Sequence, residues 1–305
     1  MVALLESVPN FSEGRRPEVV AEIVRAIAAV PGVAVLDHGA DESHNRSVVT
    51  FAGAAGAVDA AAEKAFAVAV ERIDMRRHAG VHPRIGAVDV VPFVPLGTTP
   101  MSDAVTVARR FAQRIASRYG VPTYLYGDAA LRPDRVRLAG IRRGGYEGLR
   151  SLVLTDESRA PDFGPSLIHP TAGAVAVGAR QPLIAFNLNL RTDDVDVARR
   201  IAATIRESSG GMPAVQAMGV LLENTGSPPT AQVSTNILDW RRTGIDELVV
   251  EVRRLARDAG TDIAACELIG LVPAEAIARL DAALLSIPDL ADRTIEARLA
   301  RATPE

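Results

Sequence analysis

Short runs of β-branched and apolar residues alternate along this chain with longer stretches whose apolar positions recur every three or four residues. Few architectures accommodate that alternation. Leu4 to Val8 reads as a strand. Pro17 then stands where a first helical turn tolerates a missing N–H, and Val19, Val20, Ile23, Ile27 and Val30 fall on one face before Gly32. "VAVLDH" (33–38) and "RSVVTFAG" (46–53) follow as strands, 58–73 as a helix, and "AVDVVPFVPL" (87–96) as a strand with Pro92 and Pro95 near its end. A helix over 101–119 and a strand in "VPTYLYG" (121–127) continue the rhythm. Between 131 and 182 it weakens, in glycine- and proline-bearing stretches such as "RRGGYEG" and "APDFGPSLIHPTAG"; loops of that length in a compact domain are usually functional or disordered. The alternation resumes with strands in "AVAVGAR", "PLIAFNLNL", "PAVQAMGVLLE", "AQVSTNILD" and near "ELIGLV". Helices are expected over 194–207, 245–259, from Pro273, and in the charged tail from Pro288. The pattern predicts an α/β (α+β) chain of two subdomains, 1–180 and 181–305, each a mixed β-sheet covered by helices.

The 305 residues are 48% hydrophobic and 23% charged, which suits globular domains with full cores. A formal net charge of -3 gives no general attraction to nucleic acid or an anionic membrane, so neither is expected as a partner. Lys64 is the single lysine. The positive charge is therefore almost wholly arginine, whose planar fork holds carboxylates and phosphates bidentately. The lone cysteine, Cys266, excludes an internal disulfide and reads as a buried structural thiol. "MVALLESVPN" meets an acid and a proline too early for a signal sequence, and no run approaches the length of a membrane span, so a cytoplasmic protein is expected.

Chemistry concentrates in "DMRRHAGVHPRIGAVDVV" (74–91). His78 and His82 are four apart, the spacing of two metal ligands on one helix face, but Gly80 and Pro83 spoil the helix, and no further ligand stands at a matching spacing. No metal site is expected. Histidine titrates near neutrality and can take and return a proton, so general acid/base work is the functional reading. For His78, capping the preceding helix is the stronger reading; His82, held by Pro83 and followed by Arg84, is the better catalytic candidate. In "DHGADESHNRSVVTF", Asn45 and Arg46 suit an amide and a carboxylate, or equally a turn and a surface cation. "VPNFSEGR" resembles the start of a helix, with Asn10 or Ser12 as cap and Glu13 facing the dipole. The loop 161–174 has backbone freedom at Gly164 and Gly173 and suits either a cover for a planar ligand or a linker.

The chain contains no phosphate-binding G-x-x-x-x-G-K-[ST], no G-x-G-x-x-G after a strand, no H-E-x-x-H and no G-x-S-x-G. What it does contain, in order, is "ESVPNFSEGR", "HNRSVVTFAG", "IDMRRHAGVHPRIGAVDVVPFVPL", "VPTYLYGDAA", "IRRGGYEGL", "APDFGP", "GARQPLIAFNLNL" and "AQVSTNILD". These blocks resemble the formiminotransferase domain family from the first strand to about residue 280. The resemblance implies two α/β subdomains with a ligand cleft between them, and transfer of a formimidoyl group from N-formimidoyl-L-glutamate to the co-substrate tetrahydrofolate in histidine breakdown. It implies His82 as the catalytic residue and Gly164, Pro165, Ser166, His169, Thr171 and Gly173 as the folate-contacting loop. Asn10, Asn45, Arg46, Arg84 and Tyr126, inside the resembling blocks, complete the expected substrate-binding set. A homodimer is expected, with a separate cyclodeaminase acting downstream. Two positions depart from the family pattern: Val81 replaces an acid frequent between the two histidines, and Gly39 replaces an aspartate, with Asp37 and Asp41 nearby. A related enzyme using 5-formyltetrahydrofolate or another N-formimidoyl or N-formyl amino acid would share these blocks. So would a protein that binds reduced folate without turnover.

Overall fold

The computed structural model describes residues 3–42, 44–80, 83–222, 228–278, 280 and 287–302. The chain divides into two compact units, Met1–Arg180 and Gln181–Glu305.

The first unit is built on a seven-stranded sheet. Its strands are β1 (Leu4–Ser7), β2 (Asn10–Phe11), β3 (Val33–Asp41), β4 (Arg46–Ala54), β5 (Val88–Pro95), β6 (Thr123–Gly127) and β7 (Val175–Ala179). Strand β4 pairs antiparallel with β3 and with both β1 and β2, which in turn pair with β5; β5, β7 and β6 run parallel. Pro92 does sit inside β5, where a missing N–H is costly. The partner strand is broken opposite it: β1 ends with Ser7 against Phe93, β2 begins with Asn10 against Val90, and Ser7 Oγ donates to the Pro92 carbonyl at 2.7 Å.

Helices α1 (Pro17–Ala28), α2 (Ala55–Arg72) and α3 (Met101–Tyr119) cover one face. Their apolar stripes meet Phe51 and Phe93 in a core that includes Phe66 and Phe111. Glu13, buried, accepts from the N–H groups of Arg15 and Arg16 at 2.9 Å each and so caps the approach to α1; Ser12, an expected cap, is engaged elsewhere. Lys64 is exposed on α2.

On the other face, the stretch expected to be irregular folds into α4 (Leu138–Arg142) and α5 (Gly145–Leu152), flanked by short 3₁₀ turns. Ile141 and Leu149 pack there on Val90, Tyr124, Tyr126 and Ala176. With helices on both faces, β5 and β7 are buried along their full length.

The second unit has a four-stranded sheet in the order β11 (Ile263–Ile269), β8 (Ile184–Leu190), β10 (Thr230–Ile237), β9 (Val215–Leu222). It is antiparallel throughout, not mixed as expected. Helices α6 (Val195–Ile205) and α7 (Ile245–Asp258) bury against Phe186, Leu188 and Val233. β8 alternates buried Ile184, Phe186, Leu188 and Leu190 with half-exposed Ala185, Asn187 and Asn189, the period-two pattern of a sheet with helices on one face. Cys266 is half-exposed rather than buried: it stands opposite Leu188 and packs on the core, but β11 is an edge strand of the sheet. A short helix, Ala274–Ile277, and a last one, Ile295–Ala302, follow. No helix among the described residues is long and apolar enough to cross a membrane.

Candidate active site

Three loops at one edge of the first unit meet through Asn45, which precedes β4 with φ +46°. Asparagine tolerates that left-handed conformation better than most residues. Its side chain is spent on backbone: Oδ1 accepts from Gly14 N–H at 3.0 Å, and Nδ2 donates to the Ala79 carbonyl at 3.1 Å. Gly80 permits the approach, since a Cβ there would stand 2.4 Å from the His44 carbonyl oxygen.

His78 lies six residues beyond the end of α2, so it does not cap that helix. Its Nε2 is 2.9 Å from the Asn45 carbonyl, which can only accept, so Nε2 carries the hydrogen. Nδ1 is then the acceptor for Arg84 Nε–H, at 3.0 Å. Burial, and secondarily the Arg84 charge, hold His78 below the ordinary histidine pKa. A neutral ring with both nitrogens committed is neither a metal ligand nor a proton carrier. His82, with Val81, lies outside the described residues.

Arg84 is the most fully oriented cation of this loop. Besides His78, it grips Glu147 on α5 through two parallel bonds, Nη1 to Oε2 at 3.0 Å and Nη2 to Oε1 at 2.8 Å. The two partners differ in exposure: the Arg84 side chain is 13% exposed and that of Glu147 64%. Deeper in, Asp89 on β5 is buried; its Oδ1 accepts from Ile85 N–H at 2.9 Å and its Oδ2 pairs with Arg142 at the end of α4. Burial, then the Arg142 charge, lower the pKa of Arg46, while Asp89 and Asp41 act against that shift. Tyr126 is buried, which raises its phenol pKa against the charge of Arg180, to which it is hydrogen-bonded.

Ser12, His44, Asn45, Arg46, His78, Arg84 and Asp89 enclose about 10 Å³, room for a single water. Ser12 closes one side by donating to the Gly86 carbonyl at 2.7 Å. Asn10 donates to the carbonyl of Val8 and is not part of this lining. Of the positions that depart from the resembled family, Gly39 is exposed on β3, and Asp41 pairs with His44 at 2.8 Å.

The loop from Pro161 to Ala174 is not a free linker. Its second half is laced to the histidine-bearing loop: Met75 N–H donates to the Thr171 carbonyl at 2.8 Å, Ala87 N–H to Ala172 at 2.8 Å, and Ala174 N–H to Ile85 at 3.0 Å. His169 and Gly173 exchange backbone bonds of 2.8 and 3.0 Å across the tip, and His169 Nδ1 accepts from Ala172 N–H at 3.0 Å. Burial lowers the pKa of His169. The middle of the loop, Gly164 to Leu167, is exposed; it includes Pro165 and Ser166. The structure thus brings Asn45, Arg46 and Arg84 to one place and ties Thr171 and Gly173 beside them, with Tyr126 buried below near Arg142 and Asp89.

Sequence reading missed Ser12 as a site residue, and missed Asp89, Arg142 and Glu147 altogether. Asp89 did leave a signal: it is the one acid in the apolar run "AVDVVPFVPL". Among the described residues, no group of three or more potential metal ligands occurs.

Comparison with known proteins gives a consistent result. The family model described as "Formiminotransferase domain, N-terminal subdomain" matches residues 4–180, and "Formiminotransferase domain" matches 185–291. The chain is 42% identical to a glutamate formimidoyltransferase of Streptococcus pyogenes serotype M1, over 95% of each chain. It is 43% identical to one of Thermoplasma acidophilum, over 90% of each. A formimidoyltransferase-cyclodeaminase of Rattus norvegicus is 44% identical over 93% of this chain, which spans 52% of that relative's length.

Proposed function

From a chain that belongs to the formiminotransferase domain family, we propose the following reaction: the formimidoyl group of N-formimidoyl-L-glutamate passes to tetrahydrofolate. The observation that carries this reading is the match to glutamate formimidoyltransferases over nearly the whole of both chains. The enzyme is a folate-dependent transferase. Nitrogen 5 of the pterin attacks the formimidoyl carbon, a tetrahedral intermediate forms, and the carbon–nitrogen bond to glutamate breaks as the amine leaves with a proton.

That proton must be taken from the attacking nitrogen and returned to the leaving amine. His82 is the proposed carrier, a role worth roughly a hundred- to ten-thousandfold in rate. His78, fixed and neutral, is unsuited to that task and instead orients Arg84. The Arg84 fork and Arg46 are the proposed sites for substrate carboxylates, and a donor carboxylate would take the place Glu147 now occupies on Arg84. Gly164 to Gly173 is the proposed folate-contacting loop. Holding both substrates in one orientation supplies the rest of the acceleration.

We further infer a cytoplasmic homodimer whose product is taken on by a separate cyclodeaminase. The name of the Rattus norvegicus relative couples a cyclodeaminase to the transferase, which supports a cyclodeaminase acting on the product. A coupled assay with both substrates tests the reading: the wild type turns over, and His82→Ala loses at least a hundredfold in kcat while keeping its thermal midpoint. Full activity in His82→Ala would remove His82 from the mechanism, and no turnover by the wild type would remove the reaction.

A further inference from the structure

The corner between α4 and α5 is made by Gly144 and Gly145, with φ of +80° and +62°. Glycine takes that left-handed conformation without strain but also without preference for it, so two in succession do not fix the angle of a corner by themselves. The side chains that leave this corner matter to the candidate active site. Arg142, the last residue of α4, reaches the Asp89 carboxylate, and Glu147, in the first turn of α5, grips Arg84. Asp89 in turn accepts from Ile85 N–H at 2.9 Å. Both lines of contact therefore end on two successive residues of the histidine-bearing loop, Arg84 and Ile85.

Arg159, on the 3₁₀ turn Glu157–Arg159, holds that corner from outside. Its Nη1 donates to the Gly140 carbonyl at 3.0 Å, and its Nη2 to those of Ile141 at 3.2 Å and Arg143 at 2.6 Å. These belong to the last turn of α4 and the residue after it, where a helix leaves its carbonyls without partners of its own. The Nε–H is buried and meets no acceptor, so among the described residues the guanidinium bonds to these carbonyls alone. The turn is itself fixed to the first sheet: the Tyr124 hydroxyl, on β6, donates to the Arg159 carbonyl at 2.7 Å, and Arg135 donates to the carbonyls of Ser158 and Ala160 on either side. The Asp156 carboxylate caps the same turn, accepting from the N–H and hydroxyl of Ser158 at 3.0 and 2.6 Å.

We propose that Arg159 is a positioning residue of the candidate active site: by tying the α4–α5 corner to β6 it sets where Arg142 and Glu147 stand and, through them, the Arg84 fork and the backbone of Ile85. A point charge does not replace it, because three carbonyls need both terminal nitrogens of a planar guanidinium. Displacing a group that orients substrate by about 1 Å costs up to roughly a hundredfold in rate, so a residue outside the site acts on it by geometry alone. Only the kinetic readout below rests on the transferase reading.

Native-state hydrogen exchange on the full chain tests it. In Arg159→Ala the Ile85 amide is expected to lose about tenfold in protection, while an amide in the middle of α3, such as that of Ile115, keeps its own. Arg159→Lys falls between, and answers the same question should the alanine variant not fold. In an Arg142→Gln background, where the line to Asp89 is already cut, Arg159→Ala takes nothing further from Ile85, as expected of residues that act through one another. In the transferase assay the KM for the formimidoyl donor rises about fivefold in Arg159→Ala, because Arg84 loses the orientation that Glu147 gives it. The proposal fails if Ile85 keeps its protection, if Ile115 loses as much as Ile85, if Arg159→Ala costs Ile85 as much in Arg142→Gln as in wild type, or if that KM does not move in an active enzyme. A wild type without transferase turnover would remove the reaction and leave the exchange result standing.

Discussion

The loop from Asp74 to Ala87 and the loop from Pro161 to Ala174 are hydrogen-bonded neighbours, yet they are held in different ways. In the first, His78 and Arg84 are committed to Asn45 and Glu147, and the backbone beneath them is pinned by the buried carboxylate of Asp89. In the second, Asp162 and Phe163 are tied to β6 and residues 169–174 to the first loop, while Gly164 to Leu167 between them stand in solvent. The difference separates two tasks. Fixed polar groups orient chemistry without reorganising at each turnover, whereas an exposed, glycine-started segment keeps the freedom to close on a ligand.

Substitutions that attack the committed side should show this contrast most strongly. Asp89→Ala removes the acceptor for Ile85 N–H and leaves Arg142 without its carboxylate. We expect a loss of about 3 kcal/mol of unfolding free energy in urea titrations, the scale of breaking a buried pair. A loss under 1 kcal/mol would show that the pin does not hold the loop. Arg84→Lys keeps the charge but loses the fork, and should raise KM for the formimidoyl donor about tenfold. Glu147→Gln, which weakens the competing carboxylate, should lower that KM about threefold. A rise in both variants would mean that the pair serves the fold rather than the donor.

The two histidines give a smaller effect in the same direction. Each has a folded-state pKa below the ordinary 6.5 of the unfolded chain, so between those values the unfolded state binds more protons. Their contribution to stability is therefore present above pH 6.5 and lost as the pH falls through the folded pKa values. Around His78 the groups concerned are the Asn45 carbonyl, Arg84, Arg15 and Glu13. His78→Gln should flatten part of the fall in unfolding free energy below pH 6.5 and leave the part due to His169; an unchanged slope would contradict a neutral His78. Least affected in stability should be Ser166→Ala, within about 0.5 kcal/mol of wild type, as for most exposed positions. Its informative readout is KM for tetrahydrofolate, which an uninvolved Gly164–Leu167 segment would leave unchanged.

The helix Met101–Tyr119 was legible to the residue because its apolar stripe and terminal Gly120 are local signals. Strand β3 runs three residues past the expected His38, to Asp41, because pairing with β4 overrides the weak strand propensity of Gly39 and Asp41. Helices of five and eight residues between 138 and 152 are too short for periodicity to register. The site was legible in its loops but not in its partners. Arg84 meets Glu147 from 63 residues away and Asp89 meets Arg142 from 53, so no spacing rule links them.

Asn45 also affects how the site moves. A single side chain closes the loops that carry Gly14, His44 and Ala79, and its own carbonyl holds His78. Opening any one of these loops removes a bond that the others depend on, so the region is expected to open as one cooperative unit rather than fray loop by loop. In native-state hydrogen exchange, the amides of Gly14, Met75 and Ala87 would then share one opening free energy and lose it together in Asn45→Ala.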